Sequence, residues 1–110
     1  MSVPDRGDFI YLDFDPQAGH EQGGRRPAIC LSPKAFNEVT GFASICPITS
    51  TKRGWGYEVE LPEGLAFSGV VLTHQVKNMD WRARGPFTIY GQAPQSVVED
   101  CLAKIHTFLA

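Results

Sequence analysis

Residues 6–32 read RGDFIYLDFDPQAGHEQGGRRPAICLS and place two short apolar runs on either side of a long polar loop. The first run, residues 8–14, alternates in part and is rich in aromatic and β-branched side chains, which predicts a strand. Asp15 ends that strand, because a residue before proline avoids the helical region. Residues 17–26 form a glycine-rich loop of a length that is usually functional or mobile. Residues 27–32 predict a second, mostly buried strand.

The rest of the chain predicts more short strands and one long helix. Ser32 and Pro33 suit the cap and first turn of a short helix over residues 34–38. Further strands are predicted at 42–48, 57–61, 69–77 and 87–91. Pro47, near the end of the first of these, indicates an edge or a bulge. From Pro94 onward the apolar side chains follow one helical face, at Val98, Cys101, Leu102, Ile105, Phe108 and Leu109. This pattern predicts a mainly β protein, a strongly bent sheet or partly closed barrel with the helix covering one side.

The composition limits the classes of protein to which the chain can belong. The chain has 110 residues, of which 43% are hydrophobic and 20% charged, so we expect one globular domain over residues 1–110. No apolar run approaches the ~18 residues of a membrane helix, and the N-terminus lacks the features of a signal peptide. A cytoplasmic protein with no membrane partner is therefore expected. The net charge is −2, yet residues 25–53 carry +4, which suits either a local anion-binding patch or a mixed solvated surface.

Cysteine and histidine spacing gives no sign of a metal or disulfide site. The three cysteines are odd in number, form no C-x-x-C pair and lie in apolar stretches, so we expect buried reduced thiols. The three histidines show no zinc-ligand spacing. Asp13 and Asp15 lie two residues apart, but nothing else completes a metal site, and a structural turn cap at Asp15 is favoured. No metal or other cofactor is expected.

Two polar segments combine features that suit phosphate. The loop from His20 to Arg26 places Glu21, Arg25 and Arg26 on a glycine-rich backbone, and paired arginines suit phosphate. Taken alone, this loop favours a solvated turn with an exposed ion pair. The run TSTKR at 49–53 joins three hydroxyls to two bases, which can hold a phosphate or form an ordinary polar loop.

Two tryptophans lie beside basic residues. Trp55, between two glycines, can stack on an unpaired base or fold back on the core. Residues 75–84 (QVKNMDWRAR) surround Trp81 with bases, a pattern that weakly favours nucleic-acid binding. A core tryptophan flanked by solvated charges is the stronger alternative at Trp81.

Four blocks together resemble the MazF/PemK family of toxin endoribonucleases. They are residues 6–32, CPITST at 46–51, GVVLTHQVKNMDWRAR at 69–84 and APQSVVEDCLAKI at 93–105. The blocks occur in order and span nearly the whole chain, which makes them far more specific than any one alone.

The resemblance implies a fold, an activity and partners. The fold is a small SH3-like barrel of the MazF/CcdB type, with a C-terminal helix and a short helix after the second strand, in a homodimer. The activity is metal-independent, sequence-specific cleavage of single-stranded RNA, usually messenger RNA. The products are a 2′,3′-cyclic phosphate and a 5′-hydroxyl, and the result is inhibited translation and growth. A cognate antitoxin with an acidic, partly disordered segment is expected to block the site.

The resemblance also assigns residues. Arg26 falls on the catalytic arginine of a G-x-R-P-like motif, Thr49 on the catalytic threonine of a P-x-T-[ST] motif, and Glu21 on the glutamate of the preceding loop. Arg26 would stabilise charge at the phosphate, Thr49 would donate a hydrogen bond, and Glu21 is the candidate base. The further RNA-binding candidates are His20, Arg25, Ser50, Thr51, Lys52, Arg53, Trp55, Gln75, Lys77, Arg82 and Arg84.

Two alternatives stay open from the sequence. One is a CcdB-like toxin that cuts nothing and binds a protein target such as DNA gyrase. The other is an inactive RNA-binding relic. The motifs around Arg26 and Thr49 argue for the nuclease.

Overall fold

The structure, a computed structural model, describes residues 2–16 and 18–109, and over these residues seven strands form one antiparallel sheet. The spatial order is β4-β5-β3-β2-β1-β7, and β6 also pairs with β3. The elements are β1 Asp8–Asp13, β2 Arg25–Cys30, α1 Lys34–Thr40, β3 Phe42–Thr49, β4 Glu58–Glu60, β5 Val70–Leu72, a 3₁₀ turn Thr73–Gln75, β6 Lys77–Asp80, β7 Ile89–Gln92 and α2 Gln95–Leu109. The predicted mainly β class with a C-terminal helix and a short helix after β2 is confirmed. The barrel does not close, since no pairing among the described residues joins β4 to β7.

Both faces of the central strands are buried, as a bent sheet requires. Ile29 and Cys46 belong to one apolar cluster, which α2 covers with Val97, Val98 and Cys101. Their neighbours in sequence, Ala28 and Ile45 among them, belong to a second cluster with Leu12, Phe14 and Trp81. Because side chains alternate along a strand, the two clusters lie on opposite faces of the same strands.

The predicted strand at 69–77 is wrong in one respect, because the chain there forms two strands separated by a turn. β5 pairs with Ile48 and Thr49 at one end of β3, whereas β6 pairs with Phe42–Ile45 at the other. The turn between them lets the chain pass from one end of β3 to the other. Thr73 holds the turn, since its hydroxyl is fully buried and donates to the Tyr57 carbonyl.

Pro47 lies in a central strand rather than at the edge that the sequence indicated. It stands opposite Ala28 of β2. On the other side of β3, pairing with β6 stops at Ile45 and pairing with β5 begins at Ile48. The missing N–H of proline therefore falls where the partner strand changes, so no sheet hydrogen bond is lost.

Ser32 does not cap α1 as predicted. Pro33 is the N-cap residue and makes no side-chain cap. The Ser32 hydroxyl instead donates to Oδ1 of Asn37 and accepts the backbone N–H of Ser44. Asn37, fully buried, donates to the carbonyls of Pro4 and Ser32 and accepts the Trp81 indole N–H at its own carbonyl. The prediction that Trp81 belongs to the core is confirmed.

The cysteines are free and buried, as predicted. Burial raises the pKa of Cys30 to about 11 and that of Cys101 to about 12, and raises the pKa of Cys46 well above its usual value. All three are therefore neutral thiols at neutral pH. In the part of the chain that the structure describes, no helix has the length and apolar character needed to cross a membrane.

The predicted apolar face of the C-terminal helix is confirmed for its first three turns only. Val98 and Cys101 are buried, and Leu102 and Ile105 pack against the core. Phe108 and Leu109 are exposed, 42% and 67% respectively. Phe108 makes an edge contact with the exposed ring of Tyr57 at 5.7 Å between ring centroids.

Candidate active site

A groove of about 1050 Å³ opens where the start of β2, the end of β3 and the loop before β4 meet. Its wall carries nine of the residues that the sequence singles out: His20, Arg25, Arg26, Thr49, Ser50, Thr51, Arg53, Trp55 and Gln75. Sheet pairing explains why segments so far apart in sequence meet there.

Arg26 and Thr49 face the groove from neighbouring strands. In the antiparallel register of β2 and β3, Ala28 stands opposite Pro47. Arg26 and Thr49 each lie two residues from this pair, on the side of the groove, and both line it. The two motifs that the family resemblance singles out therefore contribute to the same groove.

The guanidinium of Arg26 is held by one hydrogen bond. Its Nε–H donates to the carbonyl of Gly23 at 2.9 Å. Within residues 2–16 and 18–109, no carboxylate lies at ion-pair distance from it. Because a guanidinium has five N–H donors, its terminal N–H groups are available to an anion in the groove.

Thr49 is held by its neighbours in the chain. Its hydroxyl oxygen accepts the backbone N–H of Thr51 at 3.2 Å, which leaves the hydroxyl hydrogen free to donate. On the other side, Gly69 of the segment leading into β5 packs directly on the Thr49 carbonyl, with a φ of +110°. This close packing fixes the backbone of Thr49.

The loop after Thr49 presents an aromatic ring and a base to the groove. Trp55 is 51% exposed, with its ring 5.3 Å from His74 and the Arg53 guanidinium carbon 5.6 Å from the ring centroid. The carboxylate of Glu58 accepts the backbone N–H groups of Arg53 and Gly54 and so fixes the loop. Of the two alternatives for Trp55, the exposed one is observed.

Gln75 and Lys77 hold the loop before β2 in place. Gln75 accepts the backbone N–H of Gln22 at 2.9 Å. Lys77 Nζ lies 3.0 Å from Glu21 Oε1. That hydrogen bond and the lysine charge lower the pKa of Glu21, so its carboxylate is ionised at neutral pH. The loop is shorter than predicted, since β2 already begins at Arg25, and Gln17 lies outside the described residues.

Glu21 and four predicted RNA-binding residues do not line the groove. Glu21 and Lys77 pair with each other, and Lys52 pairs with Glu60 at 2.7 Å. Arg82 donates to the Glu38 carbonyl and lies over the ring of Trp81. Arg84 donates to the carbonyls of Asp13 and Asp15. The positions of Lys52, Lys77, Arg82 and Arg84 do not support direct RNA contact.

The predicted turn cap at Asp15 is observed, because its Oδ1 accepts the backbone N–H of Gly24 at 2.7 Å. Asp13 in turn accepts the N–H of Asp15. Among the described residues, no three histidine, cysteine, aspartate or glutamate side chains are grouped as metal ligands.

Comparison with known proteins identifies the family. The model of the PemK-like, MazF-like toxin of type II toxin–antitoxin systems matches residues 5–109. The chain belongs to this family. The endoribonuclease toxin MazF of Escherichia coli (strain K12) is 49% identical over 83 residues, which are 76% of this chain and 74% of that protein.

Solved structures of MazF proteins share the whole fold. MazF from Deinococcus radiodurans superposes with a TM-score of 0.93 at 47% identity, over 99% of this chain and 98% of that one. A MazE–MazF complex from the same organism gives 0.86 at 39% identity, over 100% and 98%. The predicted resemblance to the MazF/PemK family is confirmed. At the level of the family, the predicted function, an endoribonuclease toxin, is confirmed as well.

Ten further residues line the groove that the sequence did not mark as site candidates, and six of them carry polar or aromatic side chains: Tyr11, Gln22, Glu58, Phe67, Ser68 and His74. Tyr11 and Phe67 make an edge contact at 5.4 Å between ring centroids and form an aromatic end to the groove. Alternation in β1 places Tyr11 on the opposite face from Ile10 and Leu12, and this pattern could have marked Tyr11 as a candidate. Nothing in the sequence marks Ser68 or Phe67.

Proposed function

We propose that the groove binds single-stranded messenger RNA and that Arg26 and Thr49 act on the phosphate to be cleaved. The observation that carries this proposal is the convergence of Arg26 and Thr49 on one groove, with the guanidinium free of carboxylate partners among the described residues. Cleavage at short sequence motifs would stop translation and growth. Because messenger RNA is the substrate, the proposed location is the cytoplasm.

The chemistry follows from these side chains. The 2′-hydroxyl of the RNA loses its proton to a base and attacks phosphorus, and the bond from phosphorus to the 5′-oxygen breaks. The leaving 5′-oxygen takes up a proton, and the products are a 2′,3′-cyclic phosphate and a 5′-hydroxyl. Arg26 donates two parallel hydrogen bonds to the crowded phosphate, and Thr49 donates one more.

Glu21 is the proposed base, and its environment bears on that role. Lys77 lowers the pKa of Glu21, and a base must enter the reaction deprotonated. Glu21 does not line the groove, and its bonds to Ala18 and Lys77 are both made by Oε1. Oε2 is therefore the oxygen proposed to take the proton, while the pair with Lys77 stays in place.

Six further groove residues are proposed to bind RNA. Ser50, Thr51 and Arg53 supply hydroxyl and guanidinium donors beside Thr49, and Trp55 supplies a ring on which an unpaired base can stack. His20 and Arg25 also line the groove. Together these residues are expected to select the target sequence.

Excess EDTA should leave cleavage unchanged, and the 3′ end of the product should be a cyclic phosphate. Both results are expected because Arg26, rather than a metal ion, supplies the positive charge at the phosphate. The measurement is incubation of the purified protein with a long single-stranded RNA, followed by mass spectrometry of the fragments. A metal requirement or a 3′-hydroxyl product would refute attack by the 2′-hydroxyl, and intact RNA would favour a toxin that acts on a protein target.

A homodimer is the proposed assembly. Large apolar side chains are exposed at several places, among them Val39, Phe42, Tyr57, Phe108 and Leu109. Such side chains are suited to a twofold interface, which is the commonest protein assembly. Light scattering at micromolar concentration should return twice the 12.1 kDa chain mass. A stable monomer at that concentration would contradict the proposal.

An acidic antitoxin segment should compete with RNA for the groove. The net-positive stretch 25–53 contains both Arg26 and Thr49, so RNA binding should weaken steeply with salt, and a disordered acidic peptide can imitate the RNA charge. The test is titration of antitoxin into a complex of the protein with an RNA that carries 2′-deoxyribose at the cleavage site. Simultaneous binding with unchanged RNA affinity would exclude inhibition through the groove.

A further inference from the structure

The loop of residues 18–24, which precedes Arg26, is attached to a distant part of the chain by Gln75. Oε1 of Gln75 accepts the backbone N–H of Gln22 at 2.9 Å. Nε2 of the same side chain lies 3.5 Å from the carbonyl of His20, a weaker contact. One amide side chain thus bonds to both a donor and an acceptor of the loop backbone, as a neighbouring strand would.

A second attachment lies two residues further along the chain. Lys77, at the start of β6, pairs with Glu21 at 3.0 Å, and both side chains are partly shielded from water. Glu21 also accepts the backbone N–H of Ala18 at 3.2 Å. The carboxylate therefore joins the loop to itself and to β6 at once.

The loop in turn holds Arg26. The Gly23 carbonyl accepts the Nε–H of Arg26 at 2.9 Å, and Gly23 is the residue directly after Gln22. A guanidinium is planar and rigid, so fixing its Nε–H sets the direction of its terminal N–H groups. A shift of the loop backbone would therefore turn the donors that Arg26 presents to the groove.

We propose that Gln75 and Lys77 are positioning residues, which hold the 18–24 loop so that Arg26 points at the phosphate. This inference rests on the proposed function of Arg26. The sequence suggested direct RNA contact for both side chains. Gln75 lines the groove and Lys77 does not. The side-chain partners of both residues in the structure nevertheless belong to the loop.

The central experiment compares two variants of Gln75. Gln75→Met keeps the length of the side chain and removes both hydrogen bonds, whereas Gln75→Glu keeps the oxygen that accepts from Gln22. Single-turnover cleavage and binding of RNA with 2′-deoxyribose at the cleavage site are measured for each. We expect about a tenfold slower cleavage step for Gln75→Met, the effect of losing the stronger of the two hydrogen bonds, the one to Gln22, with RNA affinity within about twofold of the wild type. Gln75→Glu should keep the cleavage rate and bind RNA more weakly, because it adds a negative charge.

Lys77 supplies an independent pair of variants. Lys77→Met should slow the cleavage step, and Lys77→Arg, which keeps the charge, should restore it. Lys104→Met is the matched control, since Lys104 also forms an ion pair, with Asp100, and does not line the groove. It should cleave at the wild-type rate.

Hydrogen exchange tests the bond between Gln75 and the loop independently of RNA cleavage. The Gln22 amide should exchange faster in Gln75→Met than in the wild type or in Lys104→Met, whether or not RNA is present. Weaker RNA binding with an unchanged cleavage rate in Gln75→Met would show direct RNA contact and overturn the positioning role. Faster exchange without any change in cleavage would overturn it too. A wild-type protein that cleaves no RNA would refute the proposed function itself, and the exchange result would still stand.

Discussion

Replacing Arg26 with alanine should reduce RNA cleavage by at least ~10²–10³-fold, the usual cost of removing one preorganised donor from a developing negative charge. The fold should survive, because the side chain makes a single hydrogen bond, to Gly23, and has no ion-pair partner in residues 2–16 and 18–109. The measurement is single-turnover cleavage of a single-stranded RNA, with the thermal midpoint of unfolding recorded for the same sample. Arg26→Lys should recover only part of the rate, because an ammonium cannot make two parallel hydrogen bonds to a phosphate.

Arg6 offers a matched control for Arg26. Its Nε–H also donates to a backbone carbonyl, that of Leu31, at 2.7 Å, but Arg6 does not line the groove. Arg6→Ala should therefore cleave RNA at close to the wild-type rate. Near-normal cleavage by Arg26→Ala, or an equal loss in both variants, would contradict the assignment of the site.

Much of the fold could be predicted because local patterns agree with it. Alternation marked β1, and helical spacing marked α2 through Ile105. What alternation could not show is that the run from Gly69 to Lys77 contains a turn. The turn depends on the bond from Thr73 to Tyr57, sixteen residues away, and on the pairing of β5 and β6 with opposite ends of β3.

The candidate site, like the fold, could be predicted from the sequence only in part. Arg26 and Thr49 could be proposed because each lies in a motif with a recognisable spacing, and in the structure both line the groove. Basic charge alone could not show that the guanidinium groups of Arg82 and Arg84 donate to backbone carbonyls and do not line the groove. Composition reveals that a chain has arginines, whereas only the tertiary contacts reveal which of them are free to bind phosphate.

Gly69 is the position at which a single methyl group should do the most damage to both stability and activity. Its φ of +110° is one that side chains with a Cβ rarely adopt, and an added Cβ would overlap the Thr49 carbonyl and approach Cα of Ser50 to 3.0 Å. Strain of this kind costs about 1–3 kcal/mol, and overpacking against rigid backbone adds a similar amount.

Gly69→Ala should therefore lower the free energy of unfolding by about 2–6 kcal/mol, the sum of these two costs. Gly64→Ala is the matched control. Gly64 also has a positive φ, +86°, but an added Cβ would meet nothing within 4 Å, so only the strain of about 1–3 kcal/mol applies. Denaturant unfolding of the two variants measures the difference. Because relief of the overlap moves the backbone of Thr49 and Ser50, the folded fraction of Gly69→Ala should also cleave RNA more slowly than Gly64→Ala. Equal stability and equal cleavage in the two variants would show that the contact between Gly69 and Thr49 does not fix the site.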